Sequence, residues 1–201
     1  MAFEIDISCD HDSAAVNCGH DSTIVDCDSI QAALVSALEQ EEVRTAVLSV
    51  TLVDNPTMHR LNREHLQHDY PTDVISFPLE WMCGDESLED RAGFAEGRAK
   101  DALIEGEIVV SVDYAEEMAK RCGWTTQNEL TLYAVHGMLH ICGYDDLTPD
   151  EKQLMRLREK AILGHLGIKV TYPDDATFDD DEPPGKSSGS CDASSVETPN
   201  S

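Results

Sequence analysis

A chain of 201 residues is long enough to bury one good-sized core, and a single domain is the natural expectation. No apolar run approaches the roughly 18 residues that a membrane span needs. The net charge of −26 disfavours a broad nucleic-acid surface, because phosphates are held by clustered cations. Residues 1–28 and 171–201 together hold fifteen acids and one lysine, yet the segment between them is still net acidic. Action on nucleic acid would therefore require a local basic patch, a bound cation or a partner that presents the substrate. Seven cysteines, an odd number without a Cys-x-x-Cys pair, argue against a disulfide framework and a cysteine zinc cluster. With no basic flank at the N-terminus to suggest a signal peptide, a cytoplasmic location is expected.

In chain order, residues 2–8 alternate apolar and polar and predict a strand, followed by a loop to about residue 27. Asp28 is the expected cap of a helix to about Glu42, with Ile30, Leu34, Val35 and Leu38 as its apolar stripe. Thr45–Val53 predicts a strong strand, and Asp54-Asn55-Pro56-Thr57 opens a helix through about Leu66. Thr72–Phe77 predicts a strand that Pro78 stops. Residues 80–102, polar, acidic and glycine-containing, predict a surface insertion.

Glu107–Val112 predicts another strand, and Asp113 leads into a helix ending at Gly123. Thr126 to Ile141 predicts a further helix. The last one opens at Thr148-Pro149-Asp150-Glu151, a capping box with proline in first position, and runs to Leu163 or His165. Residues 173–201 are rich in Asp, Pro, Gly and Ser, and an acidic disordered tail is expected there. Strands and helices do not alternate strictly. The expected class is α+β, a small mixed sheet of about four strands covered by helices, in one domain over residues 1–172.

His136 and His140, four apart on a predicted helix, project from the same face. Gly143 can end that helix and turn the chain back, which brings Asp146 towards both rings. The pattern H-x-x-x-H-x-x-G-x-x-[H/D] predicts a zincin-like metal-binding helix. Two imidazole nitrogens and a carboxylate suit a divalent ion, Zn²⁺ first, with other divalent metals open. Metzincin proteases carry a general-base Glu directly after the first His, where this chain has Gly137, so peptidase activity is not expected. Water activation must come from another base or from the substrate's own phosphate, unless the metal acts by polarising a phosphoryl oxygen. Cys142 is expected to be a small buried residue rather than a ligand.

Gly137 after the first His, Gly143-Tyr144-Asp145 after the second, Leu61-Asn62 followed by Pro71-Thr72-Asp73-Val74-Ile75-Ser76-Phe77-Pro78, Gly106–Ser111, and Glu129 upstream form a longer pattern. Across about residues 45–168 it resembles the YbeY family of bacterial rRNA maturation factors. That resemblance implies a single-strand-specific, metal-dependent endoribonuclease acting in 16S rRNA 3′-end maturation and small-subunit quality control. Its implied partners are rRNA and the small ribosomal subunit. His136, also the candidate catalytic residue, and His140 would be zinc ligands, with Asp146 standing where the family most often has a third His. Asp145 would support the site from outside the ligand set.

Many members carry an Arg about four residues after the Leu-Asn pair. Leu66 stands there in this chain, with Arg63 and His65 as the nearest substitutes. Asp73 and Ser76 either fix their strand by hydrogen bonds or line the substrate groove. The alternative function is a ribosome-assembly factor whose metal is structural, with the acidic surface suited to a basic ribosomal protein.

Overall fold

Four nine-residue segments form one sheet in the computed structural model, which describes residues 1–10, 25–83, 97–170 and 172. They are β1 (Ala2–Asp10), β2 (Thr45–Val53), β3 (Val74–Met82) and β4 (Leu103–Ser111), in the spatial order β1-β2-β4-β3. β1 and β4 both run parallel to β2, while β3 returns antiparallel along β4. The expected α+β class with a small mixed sheet therefore holds. Alternation divides the central strands. Leu48, Val50 and Leu52 of β2 and Ile104, Ile108 and Val110 of β4 are buried in the main core on one face. The opposite face carries a smaller cluster, where Val53, Ile75 and Val109 meet Met58 and Leu61 of α2 (Asn55–Leu66).

The remaining helices are α1 (Cys27–Gln40), α3 (Val112–Cys122), α4 (Thr126–Ile141) and α5 (Pro149–His165). Eleven of the sixteen residues of α4 are buried, which makes it the central helix rather than a surface one. It lies across β3 and β4 and is flanked by α1, α3 and α5. Two glycines permit that approach. A Cβ on Gly106 of β4 would fall 2.6 Å from Ile141 Cδ1, and one on Gly137 would fall 2.8 Å from Ile108 Cγ2 and 3.1 Å from Val74 Cγ2.

Several expected boundaries are corrected. Asp26, not Asp28, caps α1, accepting from Ser29 N at 3.1 Å, and Asp28 lies in the first turn, where its charge suits the helix dipole. Pro78 does not stop β3. The strand is at the sheet edge, where a missing N–H is tolerated, and its register shifts between Pro78 and Glu80. The surface insertion expected over 80–102 is structured at both ends. Residues 80–82 belong to β3, and residues 97–102 pack inward with Arg98, Ala99 and Ala102 buried. Residues 84–96, most of the N-terminal loop (11–24) and the acidic tail (173–201) lie outside the described residues. Among the described residues, no helix is long and apolar enough to cross a membrane.

A buried charge pair joins these parts. The fully buried carboxylate of Glu41, the residue at the C-terminal end of α1, accepts from Arg158 of α5 at 2.9 and 2.5 Å. Its other oxygen accepts from Tyr144 Oη at 2.9 Å and from Gly97 N at 2.9 Å. Arg98 stacks over the Tyr144 ring at 4.6 Å and donates to Gly143 O at 2.8 Å and to Glu151 at 3.1 Å. The Glu151 carboxylate thus reaches Arg98, while its backbone N–H donates the capping bond to Thr148 Oγ1 at 3.2 Å. Glu41→Ala would strand Arg158 without its carboxylate. A loss of about 3–5 kcal/mol of stability is expected, measured by urea unfolding, and a loss below about 1 kcal/mol would contradict this role.

Candidate metal centre

The histidines sit on the last two turns of α4, and the chain then reverses through Gly143, whose φ of +91° favours glycine. Beyond it, Asp145 Oδ1 accepts from the backbone N–H of Asp146 at 2.7 Å and of Leu147 at 3.3 Å. That local turn occupies the Asp145 carboxylate and leaves Asp146 to face the rings. One ligand atom each from His136, His140 and Asp146 lie within 4.8 Å of one another, the one such group of three or more among the described residues.

Both imidazoles are oriented from behind. His136 Nδ1 donates to Glu159 Oε1 at 2.6 Å, and His140 Nδ1 donates to Tyr144 O at 3.0 Å. A carboxylate and a carbonyl can only accept, so each neutral ring carries its proton on Nδ1 and turns an Nε2 lone pair forward. Those two Nε2 atoms are 3.0 Å apart, with Asp146 oxygens at 4.0 Å from His136 and 3.9 Å from His140. Two facing lone pairs repel unless a proton or a cation lies between them. Tetrahedral zinc, with bonds of about 2.0–2.1 Å, separates its ligand atoms by roughly 3.3 Å, so this donor set fits such an ion with small adjustments.

Charge around the pair is unequal. Burial opposes protonation of His136, but the hydrogen bond and charge of Glu159, with Asp73 and Asp146, outweigh it and hold the pKa above the usual histidine value. His140 goes the other way. Burial and the neighbouring His136 lower its pKa against the pull of Asp146, the Tyr144 carbonyl and Asp145. Glu159 is 3% exposed and also accepts from Tyr172 Oη.

A cleft of about 190 Å³ opens from this centre. Lys152, Met155, Arg156 and Glu159 of α5 form one wall, with Tyr114 and Met118 of α3 and Glu129, Leu132 and Tyr133 of α4 around the remainder, and Asp73 from the turn before β3. Burial raises the pKa of Glu129, opposed by hydrogen bonds from Tyr133 and Trp124.

A family model described as Endoribonuclease YbeY matches residues 18–167. The chain belongs to this family. Relatives named Endoribonuclease YbeY include one from Oceanobacillus iheyensis, 40% identical over 71% of this chain and 88% of that protein. One from Desulfitobacterium hafniense is 35% identical over 82% and 98%, and one from Rhodopirellula baltica is 37% identical over 75% and 73%. A Thermotoga maritima solution structure covers 81% of this chain and 91% of its own at 21% identity, with a TM-score of 0.48.

Of the residues singled out from sequence, His136, His140 and Asp146 converge and Asp145 braces their loop. Asp73 lines the cleft, its Oδ1 accepting from Thr72 Oγ1 at 2.8 Å and from Val74 N at 2.9 Å. Ser76 lies two residues from Val74 on the β3 face turned to α4, outside the cleft lining. Arg63 is exposed on α2, which packs on the other face of the sheet, and it does not line the cleft either. Cys142 is fully buried as expected. Sequence reasoning missed Glu159, Lys152 and Arg156. The signal available was the run of charges at Lys152, Arg156 and Lys160, four residues apart on one helix.

Glu159→Gln, which removes the charge behind His136 but keeps the shape, should weaken Zn²⁺ binding about 10–100-fold in a competitive chelator titration. Unchanged affinity would show that Glu159 does not act on the centre. In the same titration, Asp146→His should keep or raise affinity. A loss would remove Asp146 as the third ligand.

Proposed function

We propose that this chain is a metal-dependent endoribonuclease that cuts single-stranded RNA in the cytoplasm. Its proposed substrate is rRNA of the small ribosomal subunit, at the 16S 3′ end, in maturation and quality control. One observation carries the reading: two Nε2 lone pairs are fixed face to face at 3.0 Å, with the Asp146 carboxylate beside them at the mouth of a cleft. Zn²⁺ or another divalent ion held by His136, His140 and Asp146 would supply Lewis-acid polarisation at a phosphodiester.

The chain's own residues supply the rest. Glu159 and the Tyr144 carbonyl keep both rings in the ligating tautomer. Lys152 and Arg156 give the cleft the local basic wall that an acidic protein needs to hold phosphate, and Arg156 lies over the Tyr172 ring at 4.3 Å. The half-buried ring of Tyr114, backed by Tyr133, suits an unstacked base, which single strands present and duplexes do not. Gly137 faces Ile108 and Val74, so a protease-type Glu has no room there, in keeping with chemistry other than peptide hydrolysis.

The net charge of −26 favours a second reading, an assembly factor whose structural metal supports binding to a basic ribosomal protein. A cleavage assay on single-stranded rRNA separates the two. The first predicts cutting that EDTA abolishes and added metal restores. His136→Ala and Asp146→Ala should each reduce it at least about 100-fold. Metal-loaded protein that leaves RNA intact while still binding the small subunit would sink the nuclease reading.

A further inference from the structure

We propose that the end of the cleft beyond the histidines is a nucleobase subsite that takes a base bearing an exocyclic amino group and excludes uracil. This deepens the ribonuclease reading and rests on it. Glu129 precedes His136 by two turns of α4, about 10 Å along the axis, so one cleft spans the metal centre and a second set of groups.

Those groups do not suit a phosphate. Asp73 and Glu129 both line that end, and Glu129 is only 3% exposed, so a phosphodiester would meet two carboxylates in a partly dry site. The cationic side chains, Lys152 and Arg156, come from α5 on the other wall. Around the carboxylates are surfaces for a flat ring. Half-buried Tyr114 offers the open ring, backed by buried Tyr133 with its centroid 6.3 Å away at a tilt of 55°, and Met118 adds an apolar contact. A ligand that is flat, apolar on its faces and rich in N–H donors at its edge fits this lining.

The donor requirement divides the bases. Guanine, cytosine and adenine each carry an exocyclic amino group that can donate to the open carboxylate oxygen, Asp73 Oδ2. Uracil flanks one N–H with two carbonyls, which a carboxylate repels. Glu129 is held in place by Trp124 Nε1 and the Tyr133 hydroxyl. Among the described residues, the hydrogen bonds of the Asp73 side chain fall on Oδ1, and Oδ2 is the acceptor for a bound base.

The test uses the metal-loaded full chain and single-stranded oligonucleotides that differ at one nucleotide. Cleavage beside G should exceed cleavage beside U about tenfold or more, and inosine, which lacks the 2-amino group, should return most of that advantage. Asp73→Asn keeps the Oδ1 acceptor bonds and offers an N–H₂ to a uracil carbonyl, so it should narrow the G-to-U ratio while melting like the wild type. Calorimetric titration with GMP and UMP reads the subsite without cleavage, and GMP should bind about tenfold tighter. Equal cutting beside all four bases, or equal GMP and UMP affinity, overturns the subsite and leaves the nuclease reading standing. Selective GMP binding by a protein that cuts no RNA would do the reverse.

Discussion

The buried carboxylate of Glu41 is the constraint on which the rest of the arrangement depends. Placed at the end of α1, it fixes α5 through Arg158, holds the Tyr144 hydroxyl and anchors the turn at Gly97. Desolvating this pair costs about as much as its attraction returns, so its main effect is on which geometry forms. Tyr144 lies in the chain reversal between His140 and Asp146, and Arg158 is the immediate neighbour of Glu159. One buried group therefore sets both the loop that carries Asp146 and the helix that carries the carboxylate behind His136. Arg98 reinforces the same loop by stacking on Tyr144 and bonding to Gly143.

The close approach of α4 to the sheet is a second constraint, and it has a chemical consequence. Gly106 and Gly137 leave no room for a Cβ, so the helix lies low across β4 and β3 with its histidines turned to the cleft. A general-base carboxylate at position 137 would collide with Ile108 and Val74. The acidic residues of the centre come instead from outside α4: Asp146 from the loop, Glu159 from α5 and Asp73 from the turn before β3. Packing, rather than the histidine spacing, thus separates this centre from a helix that carries its own base.

The residues that local pattern exposes were legible in the sequence. His136, His140, Gly143 and Asp146 lie within eleven positions, and their convergence follows from helical geometry and one turn. The α+β class followed equally from four apolar segments and their spacing. What escaped depends on partners far along the chain. Glu159 meets His136 across 23 residues, and Arg158 meets Glu41 across 117. Arg98 sits in a stretch whose polarity pointed outward, yet it is buried because Gly143, Glu151 and the Tyr144 ring satisfy its guanidinium. Pro78 did not end β3 because the strand is an edge, a fact of sheet order that no local window contains. Asp26 rather than Asp28 became the cap because one of several nearby acids had to meet Ser29 N, and composition does not say which.

An acidic protein that handles a polyanion must place its few cations well, and the cleft suggests how this chain does so. Lys152 and Arg156 face the cleft from one helix, with Lys160 one further turn along over the Tyr172 ring. That hydroxyl in turn donates to Glu159, whose other oxygen holds His136. The cationic ridge and the candidate metal ligands thus share one aromatic residue and one carboxylate, so the position of α5 governs both. Net charge then acts at longer range than the cleft. It would repel the body of a polyanion and leave Lys152 and Arg156 to attract only the short stretch that reaches the cleft.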